Sequence, residues 1–257
     1  MINAKDSRNT FYILDKKNDV PIVFIHGVGL NHKIWEPQIN VFENTLLAYD
    51  ILGHGRTPLN KENITFDDFS NQLLNLIDEL NVKKIHLVGF SIGSLIARNF
   101  ASKYSDRLES LILLCSIFKR TEKQQQIVKD RFELAKKSKS LSKQALKRWF
   151  TDEYLKKNPN TYNKISSILE QNNMENFLKI YELFVNHKDN EQFEKIKTKT
   201  LIMTGEGDIG STPEMSVNLS KVINNSNVKI ISKGKHLCSI ECADDVNMAI
   251  KKHIQND

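Results

Sequence analysis

A serine flanked by glycines stands where a strand pattern gives way to a helix pattern. The residues Gly-Phe-Ser-Ile-Gly at 89–93 follow an apolar run at 85–88 and precede a stretch with helical spacing. In such a turn the serine backbone is strained, and the residues two positions away must be small so that strand and helix can pack closely. The setting predicts that Ser91 is a nucleophile. The alternative is a tight turn whose serine caps the following helix.

A serine nucleophile needs a general base, and the base needs a carboxylate that orients it. His236 follows the apolar run at 227–232, and Asp208 follows the run at 200–204. Both therefore fall at the C-terminal edge of predicted strands, where open α/β sheets bind ligands. We predict that His236 is the base and Asp208 the acid, with Glu206 as the alternative carboxylate.

Two backbone N–H groups are usually needed to stabilise the oxyanion of acyl transfer. The sequence His-Gly-Val-Gly at 26–29 follows a predicted strand, so the N–H of Val28 can point to the same place as the N–H of Ile92. The glycines would let the backbone approach closely. A purely structural glycine turn is the alternative reading.

A second polar loop, Asp-Ile-Leu-Gly-His-Gly-Arg-Thr at 50–57, follows the next predicted strand. We interpret it as architectural, with Asp50 and Arg56 as candidates for bonds that fix the loop. A supporting role beside the turn at 26–29 stays open.

Short apolar runs alternate with helical patterns, which is typical of a mostly parallel sheet flanked by helices. The predicted strands are residues 21–26, 45–52, 84–90, 108–115, 200–204 and 227–232, with an antiparallel edge strand at 10–14; the predicted helices are 66–80, 92–104 and 244–253. The alternation stops at 118–198, which we predict to be an inserted all-helical cap. The core would then comprise 1–117 and 199–257.

Aromatic residues in the predicted cap are candidates for the pocket, although most must form the cap's own core. Two or three of them are expected to face the substrate. The candidates are Phe132, Trp149, Phe150, Tyr154, Tyr162, Phe177, Tyr181 and Phe184. The predicted pocket residues are His26, Gly27, Trp149, Phe150 and Lys235.

Composition narrows the class of protein. The chain has 257 residues and a net charge of +6, and residues 118–199 hold 19 Lys and Arg against 11 Asp and Glu. This excess could attract anionic substrates, but in a lysine-rich chain solvated helix faces explain it as well. We find no nucleic-acid module, no apolar run long enough for a membrane span and no disulfide or zinc pattern among three cysteines. We therefore expect a cytoplasmic protein without metal or cofactor, as a monomer or homodimer.

Taken together, the motifs resemble those of the α/β-hydrolase family over essentially the whole chain. They are H-G-V-G at 26–29, D-x-x-G-H-G-R-T at 50–57, G-F-S-I-G at 89–93, G-x-x-D at 205–208 with Pro213 nearby, and G-K-H-x₄-E at 234–241. The resemblance implies a triad of Ser91, Asp208 and His236, with Val28 and Ile92 as the oxyanion-hole residues. Residues 148–151, R-W-F-T, are similar to those of 3-oxoadipate enol-lactonase-like carboxylesterases. Ser94, Lys235 and Cys242 depart from the family pattern.

The expected activity is cleavage of a carboxylic ester or lactone of a small molecule through an acyl-enzyme. Two alternatives use the same fold. One is hydrolysis of a carbon–carbon bond in dienoic diketo acids, and the other is a small-molecule receptor with slow turnover. Lys235 could favour a substrate that carries a carboxylate, or it could point to solvent.

Overall fold

A single mostly parallel sheet runs through the centre of the molecule. The computed structural model describes residues 1–137 and 142–255. The strands are β1 (Ile2–Lys5), β2 (Phe11–Asp15), β3 (Ile22–Ile25), β4 (Leu46–Tyr49), β5 (Ile85–Phe90), β6 (Leu108–Leu114), β7 (Thr200–Gly205) and β8 (Ser226–Ile231). Their order is β1-β2-β4-β3-β5-β6-β7-β8, and β2 pairs antiparallel with both β1 and β4, while the other pairs are parallel.

Helices cover both faces of this sheet. They are α1 (Glu36–Ile39), α2 (Phe66–Glu79), α3 (Ile92–Lys103), α4 (Glu122–Lys137), α5 (Ser142–Trp149), α6 (Asp152–Lys157), α7 (Pro159–Glu170), α8 (Met174–Val185), α9 (Pro213–Ser220), α10 (Cys238–Glu241) and α11 (Ala243–Gln255). One buried cluster lies under α2 and α3, and a second lies under α11 on the opposite face. The predicted α/β class and three of the covering helices are thereby confirmed.

The strand at the sheet edge differs from the prediction. β2 is antiparallel as expected but is not the edge strand, because β1 pairs with it through Ile2–Leu14 and Lys5–Phe11. The sequence of β1, Ile-Asn-Ala-Lys, is short and mostly exposed, so it lacks the apolar alternation that marks a strand. In the described chain, no helix is both long and apolar enough to cross a membrane.

Helices α4 to α8 follow one another between β6 and β7, in the part of the sequence predicted to be a cap. They pack partly on each other, with a small cluster of Val128, Phe132 and Val185 between α4 and α8. Other side chains of these helices, such as Leu146 and Ile165, join the core on one face of the sheet.

Arg98 ties helix α3 to the loop that follows α8. Its side chain is fully buried and forms ion pairs with Asp189 at 2.7 Å and Glu191 at 2.8 Å. The guanidinium also donates to the carbonyl of Ile117, 2.7 Å away, at the end of the β6 segment. Because α3 begins next to Ser91, this buried network fixes the helix after Ser91 relative to the segments that follow β6 and α8.

We expect Arg98→Met to lower the free energy of unfolding by about 3–5 kcal/mol, because it leaves two largely buried carboxylates without their cation. Urea unfolding monitored by circular dichroism measures this change. Lys157→Gln removes a cation from a fully exposed pair with Glu153 and should leave the midpoint almost unchanged. Similar midpoints for both variants would contradict the assignment of Arg98 as a stabilising tie.

Candidate active site

Ser91 lies on a sharp turn between β5 and α3. Its backbone has φ 56° and ψ −119°, a conformation that costs a residue with a side chain roughly 1–3 kcal/mol. The flanking glycines explain how the turn fits. A Cβ on Gly89 would lie 2.2 Å from the carbonyl oxygen of Gly93, and a Cβ on Gly93 would lie 2.4 Å from that of Ile25. The motif at 89–93 therefore reflects close packing of strand and helix.

His236 links Ser91 to Asp208. Its Nε2 lies 3.2 Å from the Ser91 Oγ, and its Nδ1 lies 2.6 Å from the Asp208 Oδ2. The other carboxylate oxygen of Asp208 accepts from the backbone N–H groups of Gly210 at 2.8 Å and Ser211 at 3.0 Å. The three side chains singled out from the sequence are thus brought together in hydrogen-bonding order.

The loops that carry Asp208 and His236 lie directly against each other. The N–H of Gly207 donates to the carbonyl of Gly234 at 2.9 Å, and a Cβ on Gly205 would lie 2.2 Å from the Lys235 carbonyl oxygen. Glycine is required at 205 because the second loop leaves no room for a side chain. The alternative acid, Glu206, points away and accepts from the N–H of Lys233 at 3.2 Å on the exposed side.

The His236 loop is also attached to the end of α5, a contact that the sequence did not indicate. The N–H of Leu237 donates to the carbonyl of Trp149 at 2.9 Å, and the Trp149 and His236 ring centroids lie 6.2 Å apart. Glu241 bonds to the N–H and hydroxyl of Thr151, and to the N–H of Lys235 at 3.1 Å. The glutamate of G-K-H-x₄-E therefore joins the histidine loop to the helices above it.

The turn after β3 lies beside Ser91. A Cβ on Gly27 would lie 3.4 Å from the Ser91 Cβ, and Val28 lines the same cavity as Ser91. Ile92 is the first residue of α3, so its N–H has no acceptor within the helix. Both residues predicted for the oxyanion hole thus lie next to Ser91.

Two buried histidines hold this turn in place. His54 Nε2 accepts from the N–H of Gly29 at 2.8 Å, and His26 Nε2 accepts from the N–H of Ile51 at 3.1 Å while its Nδ1 donates to the Gly27 carbonyl at 2.8 Å. Burial lowers the pKa of His26 to about 4 and that of His54 to about 3. Both rings are therefore neutral near pH 7, which leaves each Nε2 free to accept.

The loop at 50–57 is architectural, and it also supports the turn at 26–29 through His54. Asp50 accepts from the N–H and Nδ1 of His32, at 2.9 and 2.7 Å, and from the N–H of Arg56 at 2.9 Å. The guanidinium of Arg56 lies instead 4.6 Å from the centre of the Phe11 ring. Asp50 thus binds the Arg56 backbone and not its side chain.

The charges of the Asp208–His236 pair stabilise each other. Burial alone would raise the pKa of Asp208, but His236 and the two N–H donors lower it on balance. Burial of the His236 ring opposes its protonation, yet the adjacent carboxylate raises its pKa above the ordinary value of 6.5. The pair is therefore arranged to stabilise an imidazolium ring.

Ser91 and His236 face a cavity of about 240 Å³ between the sheet edge and helices α4 to α8. Four of the eight candidate aromatics line it, against the two or three expected: Trp149, Phe177, Tyr181 and Phe184. Phe132 packs in the small cluster between α4 and α8, and Phe150, Tyr154 and Tyr162 belong to the core below α5 to α7.

One of the five predicted pocket residues lines this cavity. Within the described chain, Trp149 lines the cavity, whereas His26, Gly27, Phe150 and Lys235 are not among its lining residues. His26 is fully buried under the turn, and Phe150 is fully buried in the core. The Lys235 ammonium turns away to donate to the carbonyl of Lys147 at 3.2 Å.

Two groups in the described chain bring three metal-ligating side chains within 4.8 Å: Cys115, Asp208 and His236, and His187, Asp189 and Glu191. In the first, Asp208 already binds His236, and burial raises the pKa of the Cys115 thiol well above its ordinary value. In the second, both carboxylates bind Arg98. Internal hydrogen bonds and ion pairs account for both groups.

Comparison with known proteins agrees with this architecture. The family model for the alpha/beta hydrolase fold matches residues 20–242. The chain is 25% identical to the (E)-2-((N-methylformamido)methylene)succinate hydrolase of Acinetobacter baylyi, over 97% of this chain and 95% of that protein. It is 21% identical to 3-oxoadipate enol-lactonase 2 of the same species, over 97% and 94%.

A solved structure shares the whole fold. The crystal structure of the enol-lactonase from Burkholderia xenovorans superposes with a TM-score of 0.90 at 22% identity, covering 99% of this chain and 100% of that one. The match of the family model to most of the chain, together with this superposition, identifies the protein as a member of the alpha/beta hydrolase family.

Proposed function

We propose that this hydrolase cleaves a carboxylic ester or lactone of a small molecule, with Ser91 as nucleophile, His236 as base and Asp208 as the orienting acid. The observation that carries the proposal is the chain of contacts from Ser91 Oγ to His236 Nε2 at 3.2 Å and from His236 Nδ1 to Asp208 at 2.6 Å. This chain ends in a cavity large enough for a small ligand. Helices α4 to α8, which lie within the predicted cap at 118–198, cover this cavity as a cap.

The reaction follows from these positions. His236 removes the Ser91 proton as Oγ attacks the carbonyl carbon, and the N–H groups of Val28 and Ile92 stabilise the oxyanion. His236 then gives that proton to the leaving alkoxide, which departs as the alcohol. In the second half, His236 takes a proton from water, which attacks the acyl-enzyme and releases the acid. Asp208 stabilises the imidazolium and stays ionised throughout.

The names of the relatives support a small-molecule substrate. One is named for a 3-oxoadipate enol-lactone and the other for a methylene succinate. The second name describes a formamide, which is neither an ester nor a lactone. That relative therefore supports a second candidate, in which the same residues hydrolyse a bond that is neither an ester nor a lactone. Carbon–carbon cleavage of a dienoic diketo acid is such a reaction.

Covalent labelling tests the proposal directly. We expect a fluorophosphonate to modify the wild-type protein once per chain, on the peptide that contains Ser91, because an adjacent base activates that hydroxyl. p-Nitrophenyl esters from acetate to octanoate should show an initial burst of one nitrophenol per chain wherever deacylation is the slower half. Heat-denatured protein is the control and should not react.

The two candidate functions separate in the same experiment. Labelling of Ser91 with turnover of esters or lactones supports the first, while labelling with turnover of a vinylogous diketone alone supports the second. A protein that is not labelled and hydrolyses none of these compounds contradicts both.

A further inference from the structure

Three arginines from the helices above the sheet converge on the cavity that contains Ser91. Arg131 comes from α4, Arg148 comes from the last turn of α5, and Arg120 lies two residues before the start of α4. All three line the cavity, together with the polar side chains of Gln124 and Gln144. Three cations in a cavity of this size are a strong concentration of positive charge.

Arg120 has a structural role that accounts for part of this cluster. It donates to the carbonyls of Phe184 and Val185 at 3.1 and 3.2 Å, where α8 ends, and its guanidinium lies 4.5 Å from the centre of the Phe184 ring. Arg120 therefore attaches the end of α8 to the segment before α4. It contributes positive charge to the cavity, but part of its hydrogen-bonding capacity is already used by these carbonyls.

Arg131 and Arg148 form fewer hydrogen bonds within the described chain than Arg120 does. Arg148 donates to the carbonyl of Gln144, one turn earlier in its own helix, at 2.9 Å. In the parts of the chain that the structure describes, the arginines that pair with carboxylates are Arg98 and Arg107. Within this described part, Arg131 and Arg148 are thus only partly exposed and have no carboxylate at ion-pairing distance, whereas a cation withdrawn from water is normally paired.

The three cations act on one another and on Tyr181. Burial, then the charge of Arg131, lowers the pKa of Arg148, and burial lowers the pKa of Arg120 to about 10. All three arginines oppose the rise that burial causes in the pKa of Tyr181, so this phenol lies among them. The arginines stay charged near neutral pH, and an anion bound between them would remove their mutual repulsion.

Apolar side chains form much of the remaining cavity wall. Ile127 and Leu134 of α4 and Ile209 beside Asp208 line it and are more than a third exposed, which leaves an open apolar rim. A ligand that complements both the arginines and the apolar wall has a short hydrocarbon skeleton and a free anionic group. Guanidinium groups bind carboxylates with two parallel hydrogen bonds, which gives orientation as well as affinity.

We propose that Arg131 and Arg148 form an anion-binding subsite that holds a free carboxylate of the substrate while its scissile carbonyl lies at Ser91. The inference rests on the proposed function for the position of the scissile bond, but the anion site itself does not. It makes the enzyme selective for half-esters or lactone acids over neutral esters.

Binding of adipate to the wild-type protein tests the subsite without any turnover. Isothermal titration should show saturable binding of adipate, and Arg131→Gln and Arg148→Gln should each weaken it about 10-fold or more, because each removes a charged hydrogen-bond donor. Lys129→Gln removes the same charge from the exposed side of α4 and is the matched control. Equal adipate affinity in all four proteins, or no binding to any, would overturn the proposal.

Hydrolysis of a matched pair of esters tests the selectivity. Monomethyl adipate and dimethyl adipate share one skeleton and differ by one charge. In the two arginine variants, kcat/KM for the monoester should fall about 10- to 100-fold, while that for the diester stays within about threefold, which also shows that the variants are folded. An equal fall for both esters would contradict selectivity through a carboxylate. Arginine-dependent adipate binding by a protein that a fluorophosphonate does not label and that hydrolyses no ester or lactone would instead overturn the proposed function and leave the subsite standing.

Discussion

Replacing Ser91 with alanine should lower kcat for ester hydrolysis by about 10⁴-fold or more, because it removes the oxygen that we propose forms the acyl-enzyme. The cavity, the turn at 26–29 and the Asp208–His236 pair would all remain, so the residual rate would come from binding and oxyanion stabilisation alone. Initial rates on p-nitrophenyl butyrate at saturating concentration measure the change, with electrospray mass spectrometry to show loss of fluorophosphonate labelling.

Two further variants make this experiment specific. Ser102→Ala removes a hydroxyl near the opposite end of α3, where it donates to the carbonyl of Asn99. This control variant should keep kcat within about twofold. His236→Ala should be as inactive as Ser91→Ala, and the double variant should be no worse, because the two residues act as a unit. A Ser91→Ala protein that keeps more than a tenth of the activity would show that the nucleophile is another group.

The fold was predictable because its strands are buried on both faces and its connections are helical. Runs such as residues 22–25 and 111–115 are continuously apolar, as is typical of parallel strands covered by helices. β1 was missed because exposed edge strands have no such pattern. Helix α9 was missed as well: it has Thr212 as its N-cap and a proline at its start, but it is only eight residues long and adds little to the periodicity.

The positions of Ser91, Asp208 and His236 were predictable for a topological reason. Each follows a parallel strand directly, and parallel strands bring their C-terminal ends to one edge of a sheet. β5, β6, β7 and β8 are consecutive neighbours, so the loops after them meet without any knowledge of side-chain packing. Gly89 and Gly93, which flank Ser91 where strand and helix pack closely, strengthened the prediction for Ser91.

The upper half of the cavity could not be predicted in this way. Its position depends on how α4 to α8 pack. The hydrogen bond from the Leu237 N–H to the Trp149 carbonyl joins segments 88 residues apart, and because it uses backbone atoms alone, no side-chain pattern in the sequence marks it. For the same reason the sequence showed a basic segment but not that Arg131 and Arg148 would converge. Lys235 shows the same limit: the sequence left open whether this cation faces the pocket or solvent, and in the structure its ammonium donates to the Lys147 carbonyl.

The second large effect is expected for Asp208→Asn, which should lower kcat by about 10⁴-fold with little change in structure. The Oδ1 of Asp208 accepts from the N–H groups of Gly210 and Ser211. An asparagine would keep its oxygen there, so its NH₂ group would face His236 Nδ1 and require that nitrogen to accept. The ring proton would then sit on Nε2, facing Ser91, where it cannot act as a base. Glu206→Gln, which changes the neighbouring carboxylate in the same loop, should retain activity.

The pH profile distinguishes this explanation from a loss of folding. In the wild type, Asp208 raises the pKa of His236 above 6.5, so kcat/KM should fall as the pH drops through a midpoint above 6.5, where the base becomes protonated. In Asp208→Asn the carboxylate is gone and burial of the ring, which disfavours its charge, is left to act. The midpoint of the residual activity should therefore move below 6.5, and the coupled pair would be replaced by a single titration. An unchanged midpoint would show that Asp208 does not set the charge of His236, while a lower midpoint together with a lower kcat would assign it both effects.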